Sequence, residues 1–289
     1  MNITSALVHR LVAAQFPQWA HLAVRPAQND GHDNRTFHLG DAMSVRLPSE
    51  EGYAPQIEKE QRWLPRLAPH LPLPVPVPLA MGAPSAEYPW PWSVRRWLEG
   101  EPATRENTPN LRQFALDLAR FLRALYQIDA SDGPPAGAHN FYRGGSLSVY
   151  DAQTREAISV LGAQIDGAKA ARVWEDALNA KWHGKPVWVH GDIAPGNLLV
   201  QDGRLCAVID FGTCAVGDPA CDLAIAWTFL DAASRAAFRA AIGLGDGAWA
   251  RAKGWALWKA LIVCAGLTDP NEYDAQNSPR ILQEVMSLS

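Results

Sequence analysis

The stretch His190-Gly191-Asp192-Ile193-Ala194-Pro195-Gly196-Asn197, with Ile209-Asp210-Phe211-Gly212 shortly after it, decides how this chain is read. The first follows a short apolar strand, Pro186–His190, and turns at Pro-Gly. The second ends a hairpin whose arms, Asn197–Val200 and Leu205–Ile209, flank Gln201-Asp202-Gly203, a good turn sequence. Both put carboxylates in loops at strand ends, where backbone curvature aims side chains into a cleft. Asp192 and Asn197 stand five apart across the Pro-Gly turn. Asp210 follows two apolar residues, Val208 and Ile209, which predicts a buried strand with the carboxylate emerging at its rim.

That trio fits phosphoryl transfer. The reaction needs a carboxylate to orient a hydroxyl and accept its proton. It also needs a carboxylate and an amide oxygen to hold Mg²⁺ against a triphosphate. Hard oxygen donors of this kind suit a hard cation. The alternative, His190 and Asp192 as ligands of a transition metal, has no second His or Cys motif to support it.

Working outward, Leu111, Phe114, Leu118, Phe121, Leu122, Leu125 and Ile128 recur at three-to-four spacing and predict a buried helix. Residues 151–182 carry a weaker helical pattern. From Pro219 onward the pattern is helical, with breaks near Gly243–Gly247 and Asp269–Asn271. Upstream, residues 4–16 read as a short helix capped by Thr4 or Ser5, with Leu7, Leu11 and Ala14 on one face. Residues 31–47 read as a hairpin around Gly40-Asp41. Residues 54–68 look helical until Pro65, which should bend or end the helix. Pro72, Pro74, Pro76 and Pro78 alternate in an extended path, and Trp92–Trp97 reads as a strand.

On these motifs the chain resembles the aminoglycoside phosphotransferase and choline kinase-like family, small-molecule relatives of the protein kinases. His190-Gly-Asp192…Asn197 is similar to the family's catalytic loop, and Ile209-Asp210-Phe-Gly212 to its metal-binding motif. Gly217-Asp218-Pro-Ala-Cys-Asp222-Leu-Ala is similar to the stretch that usually follows. The resemblance implies an α+β, two-lobed protein kinase-like fold. A small antiparallel-sheet N-lobe would span residues 1–98, and a larger, mainly helical C-lobe 99–289.

It implies Asp192 as catalytic base, Asn197 and Asp210 as magnesium ligands, and ATP or GTP as phosphoryl donor. Asn34 and Thr36, in Gly31-His-Asp-Asn-Arg-Thr36, would lie in the nucleotide-positioning loop. Arg46 stands where the family usually has a phosphate-gripping lysine. Glu60 would pair with it, with Glu58 as the competitor. Adenine would meet backbone groups of Arg96 and Leu98. His190 and Asp222 would brace the catalytic loop rather than react. Asp218 reads as a helix cap ahead of Pro219.

The acceptor would be a small hydroxylated molecule, either an aminoglycoside-type antibiotic or a metabolite such as choline, homoserine or a sugar-like compound. The runner-up is a nucleotide-binding module without turnover. Composition narrows the partners. The 289 residues carry a net charge of −4, which argues against nucleic acid. Residues 186–289 hold 11 Asp+Glu against 7 Lys+Arg, so the acidity is C-terminal, a mild hint of a cationic ligand. There Asp269, Glu272 and Asp274 suit a solvated loop or a polyamine-like ligand. No apolar run is long enough to span a membrane. Cys206, Cys214, Cys221 and Cys264 form no CxxC pair and read as reduced thiols of a cytoplasmic protein. Nothing in the sequence sets an oligomeric state.

Overall fold

In the computed structural model residues 2–27 and 34–287 are described, and the chain divides into two compact units. Residues 31–33, the start of the stretch expected to position the nucleotide, lie outside the described residues. One unit is Met1–Gly100 with Cys206–Gly212; the other is Glu101–Leu205 with Thr213–Ser289.

The first unit is a five-stranded antiparallel sheet with two helices. It comprises α1 (Ser5–Gln15), β1 (Val24–Pro26), β2 (Asn34–Leu39), β3 (Met43–Pro48), α2 (Ala54–Leu67), β4 (Pro78–Gly82) and β5 (Trp92–Arg96). The strand order is β1-β2-β3-β5-β4. Thr4 caps α1 by accepting from Leu7 N at 3.3 Å. Its buried face is Leu7, Val8, Leu11 and Val12, while Ala14 is exposed. Register does the rest. Phe37 pairs with Val45 and Val45 with Val94, which builds one apolar sheet face for α1.

Because strand side chains alternate, the residues between these fall on the other face. Thr36 pairs with Arg46, Arg46 with Ser93, and Ser44 with Arg95. One sheet face is thus apolar and the other carries a row of polar and cationic side chains.

α2 does not stop at Pro65 but runs through it to Leu67. The proline sits in the last turn, so only one backbone bond is lost, and buried Trp63, Leu64 and Leu67 hold the turn in place.

The second unit is mainly helical. It comprises β6 (Glu101–Pro102), α3 (Leu111–Gln127), α4 (Asp151–Leu161), α5 (Gly167–Asn179), β7 (Val187–Val189), β8 (Leu198–Gln201), the start of β9 (Arg204–Val208), which from Cys206 on belongs to the first unit, β10 (Ala215–Gly217), α6 (Ile225–Thr228), α7 (Ala232–Ile242), α8 (Asp246–Cys264) and α9 (Glu272–Ser287). Asp202 and Gly203 both take positive φ, 51° and 75°, as a two-residue hairpin turn demands. From there β9 carries the chain into the first unit. β7 and β10 pair antiparallel, with Val189 opposite Ala215. α8 is buried on nearly every side, through Trp249, Trp255, Trp258 and Leu261. A helix apolar all round belongs at the centre of its unit. All four cysteines are free thiols. Among the described residues no helix is long and apolar enough to cross a membrane.

Candidate active site

In the first unit the polar sheet face meets α2 and the Asp210-Phe211-Gly212 segment. Glu60, 1 % exposed, is the hub. Its Oε1 accepts from Arg46 Nη1 at 3.4 Å, from Arg95 Nη1 at 3.3 Å and from the Phe211 N–H at 3.1 Å. Its Oε2 pairs with Arg95 Nη2. Glu58, two residues away, is exposed. Arg46 turns its other end to Asp210 Oδ1, 2.6 Å away. Buried Asn34 presents its amide oxygen to Arg46 Nη2 and Nε at 2.8 and 3.1 Å, with the amide oriented so that donors meet acceptors.

Two guanidiniums and two carboxylates therefore balance within one cluster. Burial lowers the pKa of Arg95, and the neighbouring Glu60 opposes that shift. Asp210 sits at φ 66°, a left-handed conformation that costs a non-glycine residue about 1 kcal/mol. The surroundings enforce it: Lys59 Nζ donates to Gly212 O at 2.7 Å. A Cβ on Gly212 would lie 2.5 Å from Gln56 Oε1, so a larger residue there would displace the Gln56 side chain.

Thr36 lies across β2–β3 from Arg46. Arg96 and Leu98 border an apolar groove of about 490 Å³ beside Pro72, Pro74 and Leu79. The Arg96 N–H is taken by Val77 O at 3.4 Å.

Arg95, Lys59 and Gln56 were not singled out from the sequence. Arg95 had a signal: alternation in Trp92–Arg96 puts it with Ser93 on the face opposite Val94. Lys59 and Gln56 had none, because their partners lie more than 150 residues away along the chain.

In the second unit the catalytic-loop motif is braced from behind. Asp222, fully buried, accepts from His190 N at 3.0 Å and from Gly191 N at 2.8 Å. Burial raises its pKa, against the pull of His190 and those two N–H groups. Gly191 takes φ 86°, and a Cβ there would fall 2.6 Å from Thr213 O. Buried His190 accepts the Asp192 N–H on Nδ1 at 3.2 Å, and its carbonyl accepts Thr213 Oγ1 at 3.0 Å. That imidazole is spent on bracing the loop. Asn197 Nδ2 donates to both Asp192 O and Asp192 Oδ2, each at 2.9 Å. With its two N–H groups committed, Asn197 has its amide oxygen left as an acceptor. Asp218 caps the Pro219 turn, accepting from Ala220 N at 3.1 Å, and it also pairs with Arg251 Nε at 2.5 Å.

The donors fit magnesium: carboxylate and amide oxygens, with no sulfur or imidazole among them. Among the described residues no group of three or more His, Cys, Asp or Glu is placed to hold a metal. Mg²⁺ is commonly bound by one or two protein oxygens, with water and phosphate completing the shell.

A loop the sequence reading passed over lies against this one. Phe141 and Tyr142 both take φ 53°, successive left-handed non-glycine residues, at about 1–2 kcal/mol each. Fully buried Asn140 enforces the bend. Its side chain accepts the Gly137 N–H at 2.9 Å and donates to Arg143 O at 2.7 Å and Thr213 O at 3.1 Å. Only the Gly144-Gly145 pair marks the turn in the sequence.

The family model described as Phosphotransferase enzyme family matches residues 24–255. The chain belongs to that family. No curated protein matches it at significance. Among solved structures it is similar to the GDP complex of wild-type aminoglycoside 2'-phosphotransferase-IIIa. The identity is 16%, coverage is 99% of both chains, and the TM-score is 0.71. A GDP and kanamycin complex of APH(2")-IIia gives 18% identity, 97% and 98% coverage, and a TM-score of 0.74. Macrolide 2'-phosphotransferase MphH from Brachybacterium faecium, as apoenzyme, gives 22%, 97% of both chains and 0.61. At such identities the likeness establishes the fold. This phosphotransferase-family chain has the two-lobed, kinase-like α+β architecture, with an antiparallel five-stranded sheet and a mostly helical remainder.

Proposed function

We propose that this chain transfers the γ-phosphoryl group of ATP or GTP to a hydroxyl of a small molecule. The observation that carries this is Asn197 clamping Asp192. The amide fixes one carboxylate oxygen and leaves the other to orient an acceptor hydroxyl and take its proton. Asp210 and Asn197 would hold Mg²⁺, which when bound supplies charge neutralisation at the phosphates. Arg46 would grip the donor phosphates, as a planar fork rather than the point charge of a lysine. Glu60 would hold that fork, with Asn34 and Thr36 on the same sheet face. Leu98, beside Arg96, would offer adenine a backbone N–H.

The neighbours' nucleotides are GDP, ADP and ATP, which supports nucleotide use and leaves the preferred donor to the assay. The small molecules named in those complexes, kanamycin and streptomycin, support a small-molecule acceptor. Kanamycin and a macrolide are the first antibiotics to assay.

A second reading, nucleotide binding without turnover, is favoured by one contact, the engagement of Arg46 by Asp210. One experiment separates them. Phosphate release from ATP and GTP is followed against magnesium, with and without acceptors, for the natural chain, Asp192→Asn and Asp210→Ala. The enzyme reading expects magnesium-dependent release. It expects Asp192→Asn to lose roughly 10²–10⁴-fold in turnover while still binding nucleotide, and Asp210→Ala to lose metal-nucleotide affinity. Full turnover by Asp192→Asn would remove the proposed base.

A further inference from the structure

Beside the catalytic loop, one cation of the second unit has no acidic partner. A Cβ on Gly191, the residue before Asp192, would lie 3.1 Å from Arg143 Cβ, so Arg143 stands against that loop. Its guanidinium carbon lies over the rings of Trp255 and Trp258, at 5.1 and 5.0 Å from their centroids. Tyr150 stacks on Trp258 at 3.9 Å, and its hydroxyl donates to Phe141 O at 2.7 Å. Arg143 thus fills the aromatic corner where an acceptor's ammonium group would otherwise be stabilised.

The carboxylates whose fields reach this corner are committed elsewhere. The Cys221 thiol feels Arg143 together with Asp218 and Asp222. Asp218 is held by Arg251 through both oxygens, at 2.5 and 3.1 Å, and Asp222 by two backbone N–H groups. Among the described residues no ion pair to Arg143 forms. The left-handed bend at Phe141 and Tyr142, just before Arg143 in the chain, leaves the two residues 49 % and 38 % exposed.

We infer that Arg143 is an acceptor-recognition residue, and that the acceptor is a hydroxylated molecule bearing an anionic group, carboxylate or phosphate. The inference rests on the proposed phosphotransferase reading of Asp192 and narrows its substrate class. A guanidinium binds either oxyanion through paired N–H donors, and the stacked rings fix its plane. The same charge repels polycationic acceptors. Of the C-terminal acidic residues, Asp274 already pairs with Lys259 at 3.2 Å.

The test uses the full chain with Mg²⁺ and both nucleotides. The panel pairs hydroxy-acids with their amides and hydroxylated phosphate esters with their dephospho forms. Kanamycin and choline are included as cations. The expected result is turnover of anionic members with a KM roughly ten- to a hundredfold below that of the neutral partner. In Arg143→Gln that advantage disappears while the nucleotide KM stays unchanged, and Arg143→Lys restores part of it. The carboxylate and phosphate arms say which oxyanion is used.

Equal KM for charged and neutral partners overturns the inference. So does turnover confined to the cations, or no anionic turnover by a chain that still hydrolyses nucleotide. An equal loss on every acceptor in Arg143→Gln, with a lowered melting temperature, assigns the residue to packing and also overturns it. A chain that neither hydrolyses nor transfers phosphate, with or without acceptor, overturns the phosphotransferase reading and this one with it.

Discussion

Arg95 shows how much a single buried cation controls. It is 3 % exposed and bonds Ser93 Oγ through Nε at 2.8 Å while pairing with Glu60. By neutralising Glu60, it leaves Arg46 with a hand for Asp210. Removing one partner of a buried pair strands the other's charge, at a cost of about 3–5 kcal/mol. Arg95→Met is therefore expected to destabilise the chain by that order, measured by urea unfolding. The pair change Arg95→Met with Glu60→Gln should recover part of the loss, because no bare carboxylate remains. A double variant no more stable than the single would remove Glu60 as the partner. Arg95 is also where reading along the chain stops short. A second arginine in a strand has no visible role until a helix glutamate 35 residues away is packed beneath it.

At the level of elements, caps and packed faces outrank single propensities. Pro65 is expected to bend or end its helix, and α2 continues past it because its apolar side is anchored on both sides of the proline. α4 and α5 were one weak pattern in the sequence and are two helices in the fold, parted at Gly162–Asp166. Their link is chemical as well as apolar, since Trp174 Nε1 donates to Asp151 Oδ1 at 2.8 Å.

α7 gives a pH test. Asp231 caps it, accepting the Ser234 N–H at 2.8 Å as well as the Ser234 hydroxyl. Hydrogen bonds from the Ser234 side chain and then its backbone hold the Asp231 carboxyl below its ordinary pKa. A depressed carboxylate stabilises the fold above the ordinary range and stops doing so as pH falls through the depressed value. Asp231→Ala should cost about 1 kcal/mol at pH 7. The gap to the natural chain should close as pH falls below the ordinary carboxylate range and through the depressed value. Thermal melts across that range check it, and a gap constant with pH would contradict the charged cap.

For the molecule as a whole, covalent order and folding unit differ. Cys206–Gly212 lies far along the chain yet belongs to the first unit. Val208 N donates to Pro74 O and Phe211 N to Glu60 Oε1, both at 3.1 Å. Amides that share hydrogen bonds with a unit open with it. In hydrogen exchange on the full chain, Val208 and Phe211 should therefore exchange with the β3 and β5 amides around Val45 and Val94. Protection tracking the β7 amides instead would deny that membership.

The motifs of this chain were readable in one dimension because each is local. His190-Gly-Asp192 through Asn197, Asp210-Phe-Gly212 and Asp218 through Asp222 are set by covalent spacing, and that spacing already marked the phosphotransferase family and its fold. The partners were not readable. Glu60 shared by two arginines, Lys59 on Gly212 and Arg143 against Gly191 join residues far apart in the chain. Such pairs form only when strand register and helix packing bring them within a few ångströms, where charge and shape select among partners that sequence spacing leaves equivalent.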